Sequence, residues 1–408
     1  MRKNVKKQLA LRVLSTAALV AMVSSIATAA FADTYDLNTG SVTVETKANG
    51  ITYVTQKDDK QVDGFARNKN NEILNEHPDD TGVTITSDGR QTSNTITVET
   101  AKDQTTDVTL DKVHIEVDTA KTKSGAIEIK GDGDTNLELN GNNTVLVKND
   151  WEEEHAAIEK ADTYGKGTLT IKDDLNDDNT PKDKDENGNA VGGDTGKLVA
   201  GGYHDAAAIG GGGTDDTACT SNITITGGEI TANGGTYGAG IGGGYSGDAS
   251  NIRIEGNADV TAFGDSGAAI GSSYHARGNS DITITDHATV TAASLDACAI
   301  GGGQDADGKV TVTISGHASV NAQTRNPPAA IGSDRSSATV NIEDNADVTA
   351  VGGGVAIGTG YGHEGTSTVI NITGGTVNAV TRDDSRPAIG TVYGNLDLTI
   401  NSSTGKRP

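Results

Sequence analysis

Residues 252–271 read IRIEGNADVTAFGDSGAAIG, and residues 282–301 read ITITDHATVTAASLDACAIG. Both stretches carry the same parts in the same order. A β-branched pair spaced by one residue comes first (Ile252/Ile254, Ile282/Ile284). A Val-x-Ala unit follows (Val260-Thr261-Ala262, Val290-Thr291-Ala292), then Ile-Gly (Ile270-Gly271, Ile300-Gly301). Working outward, this order recurs from about residue 196 to the end of the chain. The second member of the pair stands at Ile225, Ile254, Ile284, Ile314, Ile342, Ile372 and Ile400, at steps of 29, 30, 30, 28, 30 and 28 residues. The Ile-Gly units begin at Ile209, Ile241, Ile270, Ile300, Ile331, Ile357 and Ile389, at steps of 26 to 32. The length variation therefore falls in loops beside Ile-Gly, and the other two units form the rigid frame.

Repetition at this period marks stacked units, each too thin to bury its own apolar residues. Within each unit, apolar and polar residues alternate, as in a strand with one buried face. These features predict an all-β protein, a parallel, right-handed β-helix solenoid with coils of about 28–31 residues. A glycine after each isoleucine permits a corner with φ > 0. Between the two longer strands runs a second row, Gly228, Asn257, His287, His317, Asn345 and Gly375. These residue types tolerate a left-handed backbone, so the row is expected to form a corner too. Upstream, Val83-Thr84-Ile85-Thr86, Val113-His114-Ile115 and Leu169-Thr170-Ile171 alternate in the same way, and Ala157-Ile158 takes the place of Ile-Gly. The expected organisation is a signal peptide over 1–32, a cap over 33–80 and irregular coils over 81–172. An acidic insertion over 173–195 and regular coils over 196–408 follow. No cap is legible in 401–408.

Arg2, Lys3, Lys6, Lys7 and Arg12 precede an apolar run, and Ala30-Phe31-Ala32 matches a small-x-small cleavage site. This pattern predicts export, with an uncleaved anchor as the less favoured alternative. The expected location is secreted or on the cell surface, with no membrane span after cleavage. The whole chain has a formal net charge of −24, which argues against nucleic acid and anionic lipid as partners. Aromatic residues are only 3%, so the core must be built in thin layers of Ile, Val and Ala. The repeat register puts Cys219 and Cys298 nearly three coils apart, over ~12 Å at the strand spacing. That is too far for a disulfide, and both are expected to be free thiols.

The order Thr95-Ile96-Thr97-Val98, Val108-Thr109-Leu110-Asp111-Lys112-Val113, Ala126-Ile127-Glu128-Ile129 and Leu137-Glu138-Leu139-Asn140 leads into Gly-rich Ala-Ile-Gly-Gly-Gly and Ile-Thr-Ile-Thr-Gly-Gly units. It resembles the β-helical, carbohydrate-binding-domain-containing secreted proteins of Gram-positive and gut bacteria. It is also similar to the pectate-lyase-like β-helix superfamily. The resemblance covers nearly all of the chain after residue 32. It is specific for fold and weak for function, because folds do not fix functions. It implies a secreted or surface protein that binds acidic polysaccharide. No sorting signal or surface-layer anchoring repeat is legible, which leaves attachment to a cell open.

Three groups of residues are candidates for chemistry. Asp183, Asp185 and Asn187, with Gly188 and then Asp194, match the start of a calcium loop, D-x-D-x-N-G followed by an acid. Flanking helices are missing from the pattern, so Ca²⁺ is weighed against a plain solvated loop. Tyr203, Tyr237, Tyr245, Tyr274, Tyr361 and Tyr393 fall in the variable loops and form a candidate carbohydrate-binding platform, with Trp151 a further aromatic. His287 and His317, neighbours in the corner row, form a possible metal pair, weighed against a simple corner. No catalytic residues are assigned: Glu255 and Glu343 are three coils apart, too far to act together. The Gly-rich runs lack the following helix of a phosphate site. Interrupted Thr rows disfavour ice binding. The favoured expectation is a non-catalytic, adhesin-like binder of extracellular polysaccharide or a host or cell-surface glycan. The alternatives are a structural or adhesive spacer without a defined ligand and a calcium-dependent polysaccharide lyase.

Overall fold

The computed structural model describes residues 33–57, 72–77, 82–148, 154–178, 180–184, 189–214 and 216–401. The signal peptide expected over 1–32, Trp151, and two of the four calcium candidates, Asp185 and Asn187, lie outside the described residues.

Among the described residues, the Ile-x-Ile units belong to a 12-stranded sheet, the Val-x-Ala units to a 10-stranded sheet and the Ile-Gly units to a 13-stranded sheet. We call these the Ile, Ala and glycine sheets. The chain visits them in a fixed cycle: Ile241–Gly242 in the glycine sheet, Ala249–Ile254 in the Ile sheet, Asp259–Gly264 in the Ala sheet, then Ile270–Gly271. Neighbouring coils pair in parallel, with like residues opposite one another: Ile252 on Ile282, Val260 on Val290, Ile270 on Ile300. The ten strands of the Ala sheet correspond to about ten turns of a β-solenoid. The all-β class and the parallel helix expected from the repeat are thus observed.

Alternation explains why each strand sits as it does. In Asp259–Gly264 the side chains alternate between exposed and buried. The inward residues make one continuous core, in which Ile225, Ile254, Ile284, Ile314 and Ile342 are wholly buried. Each such side chain contributes about 1.5–3 kcal/mol of burial. The corner alanines Ala258, Ala288, Ala318 and Ala346 are buried as well. One polar row enters the core near the N-terminal end. Thr100 Oγ1 lies 2.7 Å from Thr106 Oγ1 and 3.1 Å from Thr135 Oγ1, and Thr106 reaches Thr46 at 2.7 Å. Each buried hydroxyl is satisfied by another, which removes the desolvation penalty.

At the N-terminal end, Val42–Thr46 pairs in parallel with Ile96–Thr100 and antiparallel with Thr52–Lys57. Thr52–Lys57 pairs antiparallel with Glu72–His77. This meander extends the glycine sheet beyond its first coil. At the other end, Leu398 and Ile400 in the last strand are 40% and 59% exposed.

The structure corrects the expected corner row. Positive φ falls on Gly256, Asp286, Gly316 and Asp344, one residue earlier than Asn257, His287, His317 and Asn345. Only Gly228 and Gly375 are left-handed as expected. The physical reason is that each coil offers a glycine or an aspartate one residue earlier, both of which tolerate a left-handed backbone, and a carboxylate from the next coil holds two of these turns. Asp286 Oδ2 accepts the Gly256 N–H at 3.1 Å, and Asp344 Oδ2 accepts that of Gly316 at 3.1 Å. The residue that holds the turn also caps the turn below it.

The insertion does not simply leave the solenoid. Asp183–Lys184 pairs antiparallel with Ala190–Val191, and Asn257 Nδ2 donates to Ala190 O at 3.0 Å. Lys182 and Asp173, both buried, form an ion pair at 2.5 Å.

Candidate functional site

Two loops flank the short glycine-sheet strand in every coil, one arriving from the Ala sheet and one leaving for the Ile sheet. Tyr237 lies in the arriving loop before Ile241. Tyr245 lies in the departing loop of the same coil, and Tyr274 in the departing loop of the next. The backbone ties these loops together. Tyr274 N donates to Tyr237 O at 3.2 Å, and Tyr245 N donates to Asp205 O at 2.7 Å. Ser246 and His275, each just after a tyrosine, take φ of +60°, which turns the chain back toward the Ile sheet. Under the loops the backbone is bare: a Cβ on Gly238 would lie 2.2 Å from Ala206 O.

The three rings meet as a result. Tyr237 lies 5.1 Å from Tyr274 and 5.9 Å from Tyr245, and Tyr245 lies 6.0 Å from Tyr274, measured between ring centroids. All three residues are half-buried. His275 packs on Tyr274 at 4.0 Å, and His204 meets Tyr237 edge-on at 5.3 Å. Burial first, then the nearby Asp305 carboxylate, raises the Tyr274 hydroxyl above the ordinary phenol value.

His204 joins this aromatic cluster to a set of carboxylates. Its Nδ1 is 3.1 Å from Glu154 Oε1 and 2.7 Å from Asp205 Oδ1. Burial, reinforced by Asp205, pushes Glu154 up to about 8. Next along the chain, His155 Nδ1 lies 2.9 Å from Glu159 Oε2, which also accepts the Ala156 N–H at 2.9 Å. Glu159 stands opposite Glu128 on the neighbouring strand. Lys130 pairs with Glu128 at 2.9 Å and lies over the Tyr164 ring at 4.8 Å. Sequence reading missed this cluster, although a signal was present. Ala126-Ile127-Glu128 and Ala157-Ile158-Glu159 share one register, which stacks the two glutamates.

The other aromatic candidates stand apart. Tyr203 is 49% exposed and Tyr393 63% exposed, while Tyr361 sits under the Arg386 guanidinium at 4.8 Å. The structure therefore gathers three of the six loop tyrosines. His287 and His317 stack at 5.1 Å with planes 22° apart, and Asn345 Nδ2 is 3.4 Å from His317 Nε2. Of the calcium candidates, Asp183 is exposed in the insertion's hairpin and Asp194 is exposed beyond it. A pocket of about 130 Å³ lies between this insertion and the solenoid, bordered by Asp173, Lys182, Val191, Gly193 and Asn257. Among the described residues, no helix is long and apolar enough to cross a membrane.

A family model described as a Beta helix repeat matches residues 223–245, 252–274, 282–304 and 370–391. Each match starts on an Ile-x-Ile strand and runs to the end of the glycine-sheet region, so the match and the observed coils share one unit. No curated protein matches the chain, and neither does any solved structure. Sequence repeat, family match and structure agree that the chain is β-helical.

Proposed function

We propose that this protein is a non-catalytic, secreted or surface-exposed binder of extracellular carbohydrate. The observation that carries the reading is the joining of Tyr237, Tyr245 and Tyr274, half-buried and 5.1–6.0 Å apart. Sugar rings stack on aromatic faces held rigid at one end and wet at the other. Histidine, serine and carboxylate groups beside the rings supply hydrogen bonds to sugar hydroxyls. Folds of this kind place such loops on a stiff frame, which keeps the cost of ordering low on binding. The resemblance to carbohydrate-binding β-helical proteins points the same way. Calcium bound by Asp183, Asp185, Asn187 and Asp194 is part of this proposal as an accessory.

The test is a pull-down of purified protein against neutral and acidic polysaccharides, with calcium or with chelator. The expected result is retention on at least one polymer, reduced about tenfold or more in a Tyr237→Ala/Tyr274→Ala variant, an effect typical of aromatic anchors. Retention that the double substitution leaves unchanged would remove the tyrosine cluster as the contact surface. Lack of retention on every polymer would favour the spacer. Loss of retention with chelator would support the accessory calcium.

A further inference from the structure

Glu128, His155 and Glu159 form a buried group whose charges are unusual for a solenoid face. Glu128 and Glu159 are direct partners on adjacent parallel strands. Like charges opposite each other on neighbouring strands repel. Both are also out of water: Glu128 is 6% exposed, His155 9% and Glu159 0%. One potential ligand atom from each lies within 4.8 Å of the other two.

The two oxygens of Glu159 differ. Oε2 meets His155 and the Ala156 N–H. Oε1 is buried and has no hydrogen-bond partner. A carboxylate oxygen in that state carries the full cost of desolvation. Lys130 Nζ, 2.9 Å from Glu128 Oε2, places a positive charge on the Glu128 side of the pair, and a cation held by all three groups would offset the charge of Glu159 as well. Two carboxylates and an imidazole are the oxygen and nitrogen donors that zinc-type first-row cations take, with imidazole favouring them over calcium or magnesium. The backbone keeps space tight around the group: a Cβ on Gly212 would lie 2.9 Å from Glu159 Oε2, and one on Gly125 would lie 2.6 Å from Ala156 O.

We propose that Glu128, His155 and Glu159 bind one divalent first-row cation of the zinc type. This site is separate from the acidic insertion and does not rest on the carbohydrate reading. The cation would sit between two coils, offsetting the repulsion of the stacked glutamates and fixing the segment that leads into the Glu154–His204 contact. It would thereby brace the edge on which Tyr237 packs.

The test uses protein stripped with chelator and dialysed at neutral pH. Titration with zinc chloride in a calorimeter should show one equivalent bound. Glu159→Gln should weaken that binding by about tenfold or more, the scale on which loss of a metal-site group acts. Glu154→Gln should leave it within about threefold, and far-UV circular dichroism should match the parent in both variants. Cobalt(II) added to the unmutated protein should give visible d–d absorption that zinc then abolishes, a readout independent of any variant's folding. Absence of zinc binding at millimolar concentration would overturn the proposal, as would an unchanged affinity in Glu159→Gln. Loss confined to Glu154→Gln would also overturn it, by moving the ion to the neighbouring Glu154–His204–Asp205 group. A silent cobalt spectrum would do the same.

Discussion

Gly271 lies in register with Gly301 on the next coil, and a Cβ built on Gly271 would be only 2.0 Å from the Gly301 carbonyl oxygen. The φ of Gly271 is +137°, outside the range that L side chains favour. Gly210, Gly242, Gly301, Gly332 and Gly358 repeat the same relationship along the sheet, with φ of 132° to 142°. Glycine is needed here twice over, for its dihedral and for the contact between coils.

Gly271→Ala should therefore destabilise the protein severely, by roughly 3–5 kcal/mol, because both backbones must move. Gly89 gives the comparison: its φ is +68°, but a Cβ there meets nothing within 4 Å. Gly89→Ala should cost only about 1–2 kcal/mol, the price of the dihedral alone. Urea denaturation of the two variants checks this. Equal midpoints would show that close approach between coils is not what the glycine sheet requires.

The isoleucine row makes a second prediction. Ile284 is wholly buried between Ile254 and Ile314, and Thr283 beside it points outward. Ile284→Ala should cost about 2–5 kcal/mol, because the cavity is framed by rigid strands above and below. Thr283→Ala should stay within about 0.5 kcal/mol. A reversal of that order in chemical denaturation would contradict the assigned strand faces.

Glu138 gives stability a pH dependence. Its Oε1 accepts the N–H groups of Asp174 and Leu175 at 2.7 and 2.8 Å, where the insertion leaves the solenoid. Oε2 is buried and without a partner, with Lys172 Nζ 3.8 Å away. Burial outweighs the opposing pull of those donors and of Lys172, and pushes Glu138 from the ordinary 4.5 up to about 7. Between these two values the folded chain holds a proton that the unfolded chain has lost. The contribution of Glu138 is complete below pH about 4.5 and is lost as pH rises through about 7. Glu138→Gln should flatten the fall in stability over that window, by up to ~3 kcal/mol at its upper end. Parallel pH profiles for variant and parent, measured by denaturant unfolding, would rule this out.

The two cysteines, both free as the repeat register implies, should differ in reactivity. Cys298 is wholly buried beside Ala329 and Val355, taking an alanine's place, and burial raises its thiol far above the usual range. Cys219 is half-buried, 3.8 Å from Asp248 Oδ2, and is raised chiefly by burial. A thiol-reactive chromophore should label one site slowly in the native protein and two after denaturation. Peptide mapping should place the native label on Cys219. Native labelling of Cys298 would show that its coil opens.

The repeat made the architecture legible because stacking demands it. A thin coil buries Ile284 only if Ile254 and Ile314 lie above and below it, so a fixed step in sequence becomes a fixed step in space. The same logic separated Cys219 from Cys298 and put Gly271 at a corner. Tertiary structure decided where the spacing varies. Loops beside Ile-Gly differ in length from coil to coil, so sequence gave no register in which Tyr237 and Tyr274 would meet while Tyr203 and Tyr393 stay apart. It also could not show that Asp286, and not His287, takes the left-handed corner, or that its carboxylate reaches across to the Gly256 N–H. The stacking of Glu128 on Glu159 was readable from their shared Ala-Ile register. Their burial beside His155 was not, because that depends on how the chain folds over the glycine sheet.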